Sequence, residues 1–103
     1  MIKLTTWERL TISAIVGSMT GTVAEVRRAG KVLDVLEFND EDAKAIGLVA
    51  DPSGVRWEEQ TREWEIELDD DALRLARTQV STWAHFRASE RKTVGALVDK
   101  LGP

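Results

Sequence analysis

The sequence predicts an α+β domain, with about five short helices packed on a small antiparallel β-hairpin or three-stranded sheet. Three observations lead there. In residues 63–68, Glu63, Glu65 and Glu67 alternate with Trp64, Ile66 and Leu68. That is the two-residue side-chain period of a half-buried strand. Helix-start chemistry stands ahead of four separate apolar stretches, at Thr5, Thr22, Asn39 and Asp69. Such residues accept hydrogen bonds from the free amides of a first helical turn. The chain of 103 residues has 43% apolar and 31% charged residues, the balance of an ordinary globular domain. Residues 1–103 are expected to form one α+β domain.

Taken in order, Thr5, Thr6, Trp7 and Glu8 fit a capping box, with the Thr5 hydroxyl on the Glu8 amide and the Glu8 carboxylate on the Thr5 amide. A helix is expected to run to about residue 16. Trp7, Leu10 and Ala14 share one side of it, and Ile12, Ile15 and Val16 widen that side. Gly17 sits where a left-handed residue would end the helix. Thr22 and Glu25 make a second capping box. Val26, Ala29, Leu33 and Leu36 then recur at helical intervals. Gly30 within them costs about 1 kcal/mol relative to Ala and marks a kink or a close approach. A strand over residues 32–38 is the rival reading, but two apolar residues followed by one polar is not a period of two.

Asn39 followed by Asp40, Glu41 and Asp42 starts a short helix, with acids at the positive end of its dipole. Ile46 is its last apolar residue and Gly47 its stop. Residues 48–50 are extended. Asp51, Pro52, Ser53 and Gly54 suit a type I turn. Val55, Arg56, Trp57, Glu58 and Glu59 are expected to pair with residues 63–68 as a hairpin, with Trp57 opposing Trp64. Asp69, Asp70 and Asp71 open the longest helix, whose stripe is Leu73, Ala76, Val80, Trp83 and Ala84. Ser89 caps a last helix with Val94, Leu97, Val98 and Leu101 inward.

Charge is distributed unevenly. Residues 55–71 hold eight acids and two basic residues, while residues 72–103 hold six basic residues and two acids. The acidic stretch suggests a face for a basic partner, one that would imitate nucleic-acid phosphates, formed by Glu58, Glu59, Glu63, Glu65 and Glu67. Strand alternation accounts for three of these eight acids and the helix dipole for three more. The basic residues Arg27, Arg28 and Lys31 on the second helix support a different reading, a small winged-helix-like nucleic-acid-binding protein. The wing would then be the most acidic part of the chain, which phosphates repel. The later cations Arg74, Arg77, Arg87, Arg91, Lys92 and Lys100 are a further candidate for nucleic acid.

Without cysteine there is no disulfide, thiolate metal site or thiol nucleophile. His85 is the single histidine, and neither a phosphate loop nor a nucleophile elbow is present. The acids lack the loop spacing of a calcium site. No enzyme activity, cofactor or metal is expected. The apolar runs are too short to cross a bilayer, and the first residues do not read as a signal peptide, so the expected compartment is the cytoplasm, without a membrane partner. Of the four tryptophans, Trp7, Trp57, Trp64 and Trp83, all are placed in the core, with one exposed anchor as the alternative.

Several stretches carry a family resemblance. They are Lys3, Leu4, Thr5, Thr6, Trp7, Glu8, Arg9 and Leu10 at the start, Phe38 before an acidic capped turn, and Val55, Arg56 and Trp57. Glu65, Ile66, Glu67 and Leu68 before a long helix, and Ser89 with Glu90 at the last one, complete the set. In this order of features the chain resembles a group of small, mostly uncharacterised proteins of tailed bacteriophages and prophages. The resemblance covers nearly the whole chain and carries no catalytic residues. The last helix departs from the pattern, being more basic and lacking aromatic positions. What it implies is a viral or mobile-element origin, action in the host-cell cytoplasm, and a non-enzymatic accessory role through a protein partner. A virion assembly component is the structural alternative, and the oligomeric state is open.

Overall fold

The computed structural model describes residues 2–52, 54–58 and 63–102. The chain opens with strand β1 (Ile2–Thr5), which passes directly into helix α1 (Thr6–Gly17). Thr5 is both the last strand residue and the N-cap, because the extended backbone of an N-cap suits a strand end. Its hydroxyl accepts from the Glu8 amide at 3.1 Å, and Glu8 accepts from the Thr5 amide at 2.9 Å. The expected capping box is therefore formed. So is the second one, at Thr22 and Glu25, which starts α2 (Val23–Leu36). Asn39 caps α3 (Asp40–Ala45), and Gly47, at φ 63°, ends it in a conformation that disfavours a side chain.

The sheet topology corrects the expected hairpin. Strand β4 (Glu63–Ile66) pairs antiparallel with β1, not with residues 55–59. Leu4 stands opposite Trp64 and Ile2 opposite Ile66, so the apolar halves of both strands face inward together. Strand β3 (Gly54–Arg56) instead turns back on β2 (Val49–Asp51), with Asp51 opposite Gly54. The short connection makes that local pairing inexpensive in loop entropy. Trp57 consequently lies beyond β3 and does not stand opposite Trp64. Ser53 of the expected turn and the segment expected to join the hairpin lie outside the described residues.

After β4, Asp69 caps α4 (Asp70–Thr82), with the Ala72 amide donating to its carboxylate at 2.8 Å. A 3-10 turn (Ala88–Glu90) leads into α5 (Arg91–Leu101). The Arg87 amide donates to Glu90 at 2.8 Å at the start of that turn, and α5 itself begins without a side-chain cap bond, so the cap expected at Ser89 is not formed. α2, with 14 residues, is longer than α4, with 13. The architecture is α+β, as expected: five α-helices packed with two small two-stranded antiparallel sheets.

A two-stranded sheet is marginal by itself. This one is held by α1 and α5, which both contact β1. Leu4, Trp64, Ile66 and Leu68 join Ile12, Val16, Leu36, Ala76, Val80, Leu97 and Leu101 in one core. Two helical faces are rotated from expectation. In α1 the inward side carries Ile12, Ile15 and Val16 beside Glu8 and Arg9, while Ala14 is exposed. In α2 it carries Ala29, Val32 and Leu36, while Val26 is exposed. The reason in α1 is that two charged residues find partners inside and claim part of the buried arc. Gly17 is the last helical residue and has no positive φ, and Gly30 has open space around it. Trp64 is buried, whereas Trp7, Trp57 and Trp83 are half-buried.

Candidate functional site

Alternation along β4 buries Trp64 and Ile66 and leaves Glu63 and Glu65 exposed, with exposed Glu67 continuing the row just past the strand. Glu63 and Glu65 share the outward face of β4, as the sequence implies, and Glu67 is exposed just beyond the strand, where it also borders the space between α2 and α4. That face is not free of cations. Lys3 of β1 stands opposite Glu65 in the pairing register. The Lys100 ammonium lies 3.7 Å from the Glu63 carboxylate. Glu58 is elsewhere, at the root of the β2–β3 hairpin, where its amide donates to the Ile46 carbonyl at 2.8 Å and its side chain lies beside Gly47. Glu59 lies outside the described residues. Of the expected five acids, Glu63 and Glu65 stand on the β1–β4 sheet with Glu67 just past it, and Glu58 stands apart from them.

The charged residues behind that sheet are its least expected feature. Glu8 and Arg9, adjacent on α1, are only 3% and 4% exposed. Glu8 accepts from the Lys100 ammonium at 2.6 Å as well as from the Thr5 amide. Lys100 is therefore drawn inward from the basic set of residues 72–103. Arg9 reaches the far end of α2. Its Nε donates to the Leu36 carbonyl at 2.5 Å and its Nη2 to the Glu37 carbonyl at 2.9 Å, and its Nη1 lies 3.4 Å from Asp42. The Phe38 and Trp64 rings cover the guanidinium at 4.0 and 4.9 Å and meet each other edge to face. Burial lowers the Arg9 pKa from its usual value, with Asp42 acting in the opposite sense. The Trp64 indole donates to the buried Thr6 hydroxyl at 3.0 Å. Every bond in this set ties elements together, which marks it as structural.

The alternative nucleic-acid residues Arg27, Arg28 and Lys31 are all exposed on α2. The hairpin that would act as their wing is not formed as expected, since β4 belongs to the β1 sheet. Arg28 and Lys31 instead line an open groove of about 610 Å³ between α2 and α4. His85 is exposed, its ring 4.9 Å from that of Trp83. Among the described residues no three His, Asp or Glu side chains group as metal ligands, and no helix is long and apolar enough to cross a membrane.

Sequence reasoning missed the groove and the inward role of Arg9. Helical spacing could have placed Arg28, Lys31, Val32 and Val35 on adjoining arcs of one helix, but the second wall comes from residues 67–79 and has no local signal. No family model, curated protein or solved structure matches the chain.

Proposed function

We propose that the chain is a non-enzymatic accessory protein that binds another protein through the outward face of the β1–β4 sheet. The observation that carries this reading is the row Glu63, Glu65 and Glu67, presented to solvent by a strand whose apolar half is fixed in the core. Because Trp64, Ile66 and Leu68 are anchored, the backbone that carries the carboxylates is already ordered, and only the glutamate side chains lose freedom on binding. Preorganisation of this kind lowers the entropic cost of association. The partner surface is basic, and attraction across it steers encounter and weakens with salt. A phage or mobile-element origin rests on the order of sequence features described above.

The test is capture from a lysate of phage-infected cells on immobilised protein. Reversal of all three charges, Glu63→Lys with Glu65→Lys and Glu67→Lys, is expected to abolish capture of the specific partner while leaving thermal unfolding cooperative. Capture that survives the triple reversal would rule the strand face out.

A further inference from the structure

The groove between α2 and α4 has walls of different character. On the α2 side stand Arg28 and Lys31, both exposed, and among the described residues neither takes part in an ion pair. Glu25, also on that wall, is already held in the capping box of Thr22. On the opposite side stand three acids, Glu67, Asp69 and Asp71, and one cation, Arg74, so that wall is negative on balance, with Asp69 held in the cap of α4. Glu67 likewise has no ion pair among the described residues, and Asp71 has only the exposed Arg74 at 3.9 Å along its own helix. Between the walls the floor is apolar, built from Val32, Leu68, Ala72 and Leu75, and Val35 at its edge is 40% exposed.

A positive wall and a negative wall on either side of an apolar floor form a self-complementary patch. A two-fold axis lying along the groove would set the α2 wall of one copy against the α4 wall of the other, twice over. Closed pairs of this kind, in which residue i meets j and j meets i, are the commonest form of soluble oligomer. We infer that the occupant of this groove is a second copy of the chain, in a symmetric dimer with Arg28 and Lys31 of each copy facing Glu67 and Asp71 of the other. Val35 and Leu75 of each copy would be covered by the other, removing apolar surface from water. Glu67 belongs both to this wall and to the row proposed above, so the dimer is read on the purified chain alone, and the Arg28 and Lys31 variant, which leaves that row intact, separates the two readings.

Sedimentation velocity of the full chain over a range of concentrations tests it. The expected species has twice the 11.5 kDa mass of the chain. Arg28→Glu with Lys31→Glu should weaken dimerisation at least tenfold, and so should Glu67→Lys with Asp71→Lys. Mixing these two variants should restore the dimer, because each then offers two like walls that match the other's. A wild-type chain that stays monomeric at millimolar concentration overturns the inference. A dimer that neither double reversal weakens, or two weakened variants that do not re-associate when mixed, overturns it equally.

Discussion

Arg9 does for α2 what a cap residue usually does. The last carbonyls of a helix have no intrahelical donor, and a cation there is favoured by the negative end of the dipole. The forked guanidinium satisfies the Leu36 and Glu37 carbonyls from a different helix and reaches Asp42 as well. Removing a buried charge's partner costs more than the pair contributes, since the remaining groups stay desolvated. Arg9→Ala is therefore expected to lower unfolding free energy by about 3–5 kcal/mol in a urea titration. Arg9→Lys should recover little of it, because an ammonium cannot reproduce the planar fork or lie flat between two rings. Since burial lowers the Arg9 pKa, the unfolded chain holds that proton more tightly, and stability from this group would change only in arginine's own strongly alkaline range. The same effect should thus be measured at pH 6 and pH 8. Sequence showed Glu8 in its capping role because its partner is three residues away. It did not show Arg9, because its partners are backbone carbonyls 27 and 28 residues along the chain, which no side-chain pattern marks.

At the scale of elements, the caps were legible and the strand pairing was not. Thr5, Thr22, Asn39 and Asp69 all act through bonds that close within three residues, so their chemistry is local. The strand at Glu63–Ile66 was equally plain from its alternation. Its partner was misassigned because proximity favoured residues 55–59, and because Thr5 was read only as a cap. Yet Ile2, Lys3, Leu4 and Thr5 alternate too, and that signal was present. The pairing predicts an asymmetry between neighbours on β1. Leu4, fully buried against Trp64, should cost about 2–5 kcal/mol as Leu4→Ala. Lys3→Ala, on the exposed face, should stay within about 0.5 kcal/mol by the same chemical denaturation.

Across the whole molecule, three distant stretches meet at one place. β1 from one end of the sequence, β4 from its middle and α5 from the other end share the core through Leu4, Trp64, Leu97 and Leu101. Full burial of one such side chain contributes about 1.5–3 kcal/mol, against a net stability of about 5–15 kcal/mol for a domain. A chain ending at residue 90 loses Leu97, Leu101 and the Lys100 ammonium together. It should lack a cooperative thermal transition by circular dichroism. The charge asymmetry seen in the sequence has a similar resolution at this scale. Lys100 is withdrawn to Glu8, Lys3 is set opposite Glu65, and Asp69 is committed to a helix cap. Counting acids and bases along a chain could not reveal which of them the fold would place side by side.

The Glu8–Lys100 contact also governs how the fold can come apart. Peeling α5 away would leave Glu8 facing the core with only the Thr5 amide, so the terminal helix cannot open cheaply without disturbing the first one. Its amides near Leu97 and Leu101 should then exchange with deuterium as slowly as those of Ile12 and Val16, in one unit with them, although they belong to the last helix of the chain.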